Sequence, residues 1–182
     1  QLAKNPAGGW YFFGNQNGIS RWQSSDLITW TNQTQVLANG GTGAWDQFLQ
    51  VVSAFQKPSD GTWVMLYRGW NGSAYHIGLA TSTDGTTFTR KNNGGVNDGL
   101  FSQFGSNYDP TAVILVGSTY YVYVNGSGGH NVQNVYYSTD AFATFTADSH
   151  NPIFTKGVDF AQAFFTMADI IIYWFPKILL LG

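Results

Sequence analysis

The stretch Ser82-Thr83-Asp84-Gly85-Thr86-Thr87-Phe88-Thr89 decides the fold, because it occurs three times. Its counterparts are Ser24-Ser25-Asp26-Leu27-Ile28-Thr29-Trp30-Thr31 and Ser138-Thr139-Asp140-Ala141-Phe142-Ala143-Thr144-Phe145-Thr146. The aspartates stand at 26, 84 and 140, so the spacing is 58 and then 56 residues. A fixed period of this size marks a repeat architecture in which one supersecondary unit recurs. Each copy is preceded by a glycine and an aromatic, alternating run: Gly9 to Phe13, Gly61 to Tyr67 and Gly117 to Val124. A further run leads into each aspartate: Gly18 to Trp22, His76 to Ala80 and Val132 to Tyr137. Phe48 to Phe55 and Thr111 to Val116 add one more run before the second and third units, whereas the first unit reads as entering at the Trp10 strand.

Runs of five to eight β-branched and aromatic residues, punctuated by Gly, Asn, Asp and Ser, are strands joined by turns. Each unit is then a four-stranded antiparallel meander, and radial repetition of such sheets is the β-propeller. The competing all-β reading, a sandwich with similar turns by coincidence, does not explain two near-equal spacings. The expected fold is therefore an all-β propeller of about three blades plus part of a fourth. Residues 1–157 form the blades and 158–182 a separate apolar segment. In each motif the aspartate is structural, accepting backbone N–H groups in the hairpin before the outermost strand. The Trp or Phe four or five residues later packs between blades.

Composition agrees with this reading. Charged residues are 10% of the 182, against roughly 25% in ordinary soluble domains, while aromatics reach 17%. All ten acidic residues are Asp, and no Glu occurs. Exposed helix faces are built from Glu, Lys and Arg, so a helical bundle is excluded. A net charge of -2 offers no basic footprint for nucleic acid. Cysteine is absent, which removes disulfides, thiolate metal sites and a cysteine nucleophile. Asn-x-Ser/Thr triplets occur at Asn32, Asn71 and Asn125. The chain opens on Gln1 and reads as a processed product or a fragment.

With these residues in place a family resemblance emerges. Ser24 to Trp30, after an aromatic strand, resembles the five-bladed propeller glycosidases of glycoside hydrolase family 43 and their sucrose-cleaving relatives. Tyr108-Asp109-Pro110 with Tyr120-Tyr121 beyond it resembles their blade opening, and Asn151-Pro152-Ile153-Phe154 resembles a blade-closing segment. Ser138, Asp140, Thr144 and Phe145 also resemble the Asp-box of sialidase-like propellers, with Phe142 where that motif has glycine. The resemblance implies two carboxylates flanking a glycosidic bond and a third acidic group tuning the site. It implies that Asp109 is the orienting or pKa-tuning group, and that the first-blade carboxylate lies upstream of residue 1. The fourth-blade acid in such enzymes is Glu, which this chain lacks. Asp159 and Asp169 fall in the corresponding region without a matching motif.

The residues themselves suggest sugar contacts. Sugar sites combine aromatic faces with amide, carboxylate or guanidinium groups. Arg68 and Trp70 after the second strand of blade two, Trp45 and Asp46 before its innermost strand, Tyr108, and Asn125 in the third blade supply that mixture. Packing roles for Trp45 and Trp70 are the alternative. The histidines at 76, 130 and 150 lack metal-ligand spacing, so no metal and no cofactor is expected. The glycine-rich stretches at 94–95 and 126–129 precede no helix, so phosphate cradling is not expected. In the apolar C-terminal segment Asp169, Pro176 and Lys177 interrupt the run of about 20 residues that a membrane span requires. That segment is expected to start a partial blade, to contact another chain, including a second copy, or, since it lacks the Gly, Asn and Ser punctuation of the rest, not to be the protein's natural continuation.

Three readings follow. The first is a carbohydrate-recognising propeller without catalytic activity in this chain, extracellular or on a particle surface. The second is a fragment of a glycoside hydrolase acting on arabinose-, xylose- or fructose-containing glycans. The third is a structural surface or virion assembly protein.

Overall fold

A computed structural model describes residues 1–91, 100–126 and 132–155. The described residues form three consecutive antiparallel sheets. The first consists of β1 (Leu2–Lys4), β2 (Trp10–Asn15), β3 (Ile19–Ser24) and β4 (Thr31–Leu37). The second has β5 (Phe48–Gln56), β6 (Trp63–Trp70), β7 (Tyr75–Ser82) and β8 (Thr89–Arg90). In the third, β9 (Asp109–Val116), β10 (Thr119–Asn125) and β11 (Val132–Ser138) are followed by two short segments, β12 (Thr146–Ala147) and β13 (Phe154–Thr155), both paired with β11. Asn151 fastens that closure, accepting from the Val135 N–H at 2.8 Å and donating to its carbonyl at 2.7 Å.

The first four strands of each sheet form a meander in chain order, as the repeat predicts, with β13 added beside β11 in the third, and the three are blades of a β-propeller. One expectation is corrected. The first blade does not enter at the Trp10 strand, because Leu2–Lys4 pairs with β2 in the register Leu2↔Phe12 to Lys4↔Trp10. Three residues without aromatic content gave no strand signal of their own; pairing along an aromatic neighbour made them one. The expected partial fourth blade and the apolar segment at 158–182 lie outside the described residues. No helix among the described residues is long and apolar enough to cross a membrane.

Side-chain alternation builds the interfaces between blades. Along β6, Trp63, Met65 and Tyr67 enter a cluster with Tyr11, Phe13 and Ile19 of the first blade. Val64 and Leu66 enter a second cluster with Tyr120, Val122 and Phe142 of the third. The middle sheet is thus buried on both faces, which is why β6 reads as a continuous apolar run. Trp63 is the wedge of the first interface, its ring 5.7 Å from Tyr11 and 5.8 Å from Phe13. Phe142 plugs the second, 4.5 Å from Tyr120 and 5.5 Å from Phe55.

The repeated motif turns occupy the third hairpin of each blade. In every copy the serine hydroxyl donates to Asp Oδ1, at 3.0 Å for Ser24, 2.8 Å for Ser82 and 2.8 Å for Ser138. The same hydroxyl accepts a backbone N–H, from Leu27, Gly85 or Phe142. Asp Oδ1 then accepts two more, from Ile28 and Thr29, Thr86 and Thr87, or Ala143 and Thr144. These donors hold the carboxyls low: Thr29 chiefly brings Asp26 to about 2 and Thr144 chiefly brings Asp140 to about 2. Asp84 moves the same way through Thr86. The turn needs a left-handed residue where the serine hydroxyl accepts, and the chain supplies Leu27 (φ 65), Gly85 (φ 70) and Phe142 (φ 74). Arg21 of the first blade reaches across to the second motif, donating to Gly85 O at 2.9 Å and Thr86 Oγ1 at 3.1 Å.

Candidate functional site

Period-two alternation sorts the site residues onto the two faces of the middle sheet. Arg68 and Trp70 share the face of Val64 and Leu66, toward the third blade, while Tyr67 and Gly69 face the first. Arg68 is therefore aimed at β9, where Asp109 is the first residue. The guanidinium meets the Asp109 carboxylate at 2.5 Å and donates through its other terminal nitrogen to Gln50 Oε1 at 2.5 Å. Its carbon lies 4.2 Å from the Tyr75 ring centroid, a cation–π contact. Tyr75 is opposite Trp70 in the β6–β7 register, and their rings are 4.2 Å apart. The Arg68 Nε is buried and has no hydrogen-bond partner.

This cluster joins the mouths of two blades. Gln50 sits at a bulge, where the pairing of β5 with β6 shifts between Gln50 and Val52. A bulge re-aims the chain, and here it separates Gln50, which reaches Arg68, from the regular ladder below. Asn125 is the cross-strand partner of Asp109 and is 5% exposed. Tyr108, just before Asp109, is half-buried against the second core cluster, beside Tyr136. Burial pushes the Tyr136 phenol up, with Tyr108 adding to it.

Trp45 and Asp46 belong to a different cluster, on the opposite face. Trp45 stacks on Tyr67 with centroids 5.6 Å apart and is 6% exposed. The Asp46 carboxylate accepts from Arg90 Nε at 2.6 Å and from the Tyr67 hydroxyl at 3.4 Å. Burial pushes the Tyr67 phenol up, and the Asp46 charge adds to that. Gly69 and Gly78 make this packing possible, because a Cβ at either would run into Trp45. The structure thus brings together Arg68, Asp109, Trp70 and Asn125, and sets Trp45 and Asp46 apart from them across a sheet.

Sequence reasoning missed Gln50 and Tyr75. Tyr75 was findable, placed opposite Trp70 by the hairpin that holds Asn71-Gly72, whereas Gln50 meets Arg68 through a register that a bulge shifts and the sequence does not show. A second hollow, polar and open, lies on the first blade among Asn5, Gly8, Gln23, Ser24, Ser25, Thr29 and Thr31. It lacks an aromatic face.

The described carboxylates are all engaged. Asp26, Asp84 and Asp140 are bound in motif turns, Asp60 meets Lys57 at 2.7 Å, and Asp148 meets His150 at 2.8 Å. Asp46 and Asp109 are held by arginines. The Lys57 hydrogen bond chiefly brings Asp60 to about 2, and the His150 backbone chiefly lowers Asp148. No group of three or more metal-ligating side chains occurs among the described residues.

No family model and no curated relative matches the chain. In fold the chain resembles solved glycosidases. One, a beta-1,3-galactosidase of glycoside hydrolase family 43, is 17% identical with a TM-score of 0.42, over 81% of this chain and 44% of that one. An exo-beta-1,3-galactanase from Clostridium thermocellum is 16% identical with a TM-score of 0.43, over 80% and 46%. The native Bacillus subtilis arabinanase is 16% identical with a TM-score of 0.39, over 76% and 71%. The chain spans between 32% and 48% of the first structures it matches.

Proposed function

We propose that this chain is a carbohydrate-recognising propeller that binds a glycan without cleaving it. Asp109, Arg68, Trp70 and Asn125 form the site, Gln50 and Tyr75 hold Arg68 in place, and Tyr108 borders it. The observation that carries the reading is the Arg68–Asp109 pair at 2.5 Å, with the guanidinium seated on Tyr75. The Arg68–Asp109 pair sets charged groups beside the Trp70–Tyr75 pair, which offers an apolar ring face to sugar C–H groups. Glycoside cleavage asks for two carboxyl groups flanking the bond, one of them protonated. Asp109 faces a cation, and the chain has no Glu. A secreted or surface location suits such a role, and the Asn-, Gly-, Ser- and Thr-rich sequence is compatible with it.

The test pairs a glycan array with a panel of aryl glycosides, both run on the intact chain. Binding to a glycan without turnover is expected. Hydrolysis that disappears in Asp109→Asn would overturn the non-catalytic reading and favour the hydrolase-fragment one. Absence of any bound glycan would favour a structural assembly role.

A further inference from the structure

Four Asn-Gly pairs fall among the described residues: Asn17-Gly18, Asn39-Gly40, Asn71-Gly72 and Asn125-Gly126. Such a pair can rearrange without any enzyme. The glycine backbone nitrogen attacks the asparagine Cγ and an N–Cγ bond forms; the N–H proton passes to solvent, Nδ2 takes up a proton from solvent, and the Cγ–Nδ2 bond breaks to release ammonia. Water then opens the five-membered imide at either carbonyl, leaving aspartate or isoaspartate. The step is redox-neutral and consumes only water.

From the geometry we infer that Asn71-Gly72, in the β6–β7 hairpin beside Trp70, is a self-modification site of this kind. Three observations single it out. Asn71 is exposed, and its Oδ1 accepts from the Ser73 N–H at 2.9 Å, the Ser73 hydroxyl at 3.2 Å and the Ala74 N–H at 3.0 Å. Those donors polarise the carbonyl under attack and stabilise the oxyanion that develops on it. Gly72 has φ 99 and open space on the side where a Cβ would project, so a ring can form there. The other three pairs are confined. A Cβ at Gly18 would run into the Leu37 carbonyl, one at Gly40 into the Asp46 carboxylate and one at Gly126 into the Val132 side chain, so those glycines have no open side. Asn39 is also tied by Oδ1 to the Leu49 N–H at 3.0 Å, and Asn125 is 5% exposed within β10. Reaction at those positions first requires local opening of the blade.

The product matters because of its location. Isoaspartate carries the main chain through one extra carbon and adds a negative charge where the hairpin sets Trp70 against Tyr75. The ring pair at 4.2 Å, and the cation–π seat of Arg68 beneath it, depend on that turn. Modification therefore loosens the aromatic end of the site with age.

The experiment incubates the intact chain in mildly alkaline buffer and follows all four peptides by mass spectrometry, with isoaspartate detection and near-ultraviolet circular dichroism in parallel. Amide loss at Asn71 should lead the other three by about tenfold or more, with isoaspartate among the products. The Trp–Tyr dichroic signal should decline in step, and neither change should occur at this position in Asn71→Gln. Equal or faster conversion at residue 17, 39 or 125 would overturn the inference. So would conversion of Asn71 to aspartate with no isoaspartate, since only the imide route yields both.

Discussion

Replacing Phe142 by glycine should destabilise the protein, even though glycine is the residue its backbone geometry favours. Phe142 sits at φ 74 in the third motif turn, where an L residue with a Cβ carries a cost of about 1–2 kcal/mol. Glycine removes that cost but gives back about 0.5–1 kcal/mol through the freedom of the unfolded chain. The ring is 1% exposed and packed against Tyr120, Phe55 and Phe145 at 4.5, 5.5 and 5.8 Å. Deleting a core aromatic costs about 3–5 kcal/mol in transfer and cavity terms. The net loss is about 3 kcal/mol, a fall of roughly 1–2 M in urea midpoint for a domain of this size. Leu27→Gly is the matched control, at φ 65 in the first motif with a side chain 40% exposed. Its opposing effects nearly cancel, and the change should stay within about 1 kcal/mol. Urea unfolding followed by tryptophan fluorescence reads both. Phe142→Gly as mild as Leu27→Gly would refute the reasoning, because the departure from glycine would then not be explained by an inter-blade plug.

Two further outcomes follow from charge. Arg68→Met strands the Asp109 carboxylate, which is 7% exposed, and should cost about 3 kcal/mol, whereas adding Asp109→Asn should recover a large part of it; a double-mutant cycle in urea with no coupling would contradict the pair. Asp26, Asp60 and Asp140 titrate near 2 in the folded protein, below their ordinary value of 3.8. Their stabilisation is present above that ordinary value and is lost as pH falls from about 4 through about 2. Melting temperature should therefore be flat on this account above about pH 5 and decline across that acid window, less steeply in Asp140→Asn.

The fold was largely legible, and for a physical reason. The motif turn needs Ser and Asp at one spacing, a left-handed residue after them and an aromatic beyond, so its three copies survive in the sequence as Ser24, Ser82 and Ser138 with their aspartates. Strand β1 escaped notice because Leu2–Lys4 owes its conformation to pairing with β2 rather than to its own pattern. The site was legible only in part. Arg68 and Asp109 could be singled out by type, but not as partners, since they are 41 residues apart and meet only when two blades pack. Trp45 and Trp70 look alike in sequence; the side of β6 that each approaches distinguishes them, and that depends on register. Arg21 and Arg90 gave no signal because their partners, a motif carbonyl and Asp46, come from distant turns.

The central claim is that the Arg68–Asp109 cluster, and not the polar hollow of the first blade, holds a glycan. Calorimetric titration of the best array glycan into the wild-type chain, Trp70→Ala and Gln23→Ala tests it most directly. The account predicts a loss of affinity of about tenfold or more in Trp70→Ala, equivalent to one lost sugar-stacking contact of about 1.4 kcal/mol, and no change in Gln23→Ala. Unchanged affinity in Trp70→Ala, or a loss confined to Gln23→Ala, would contradict it.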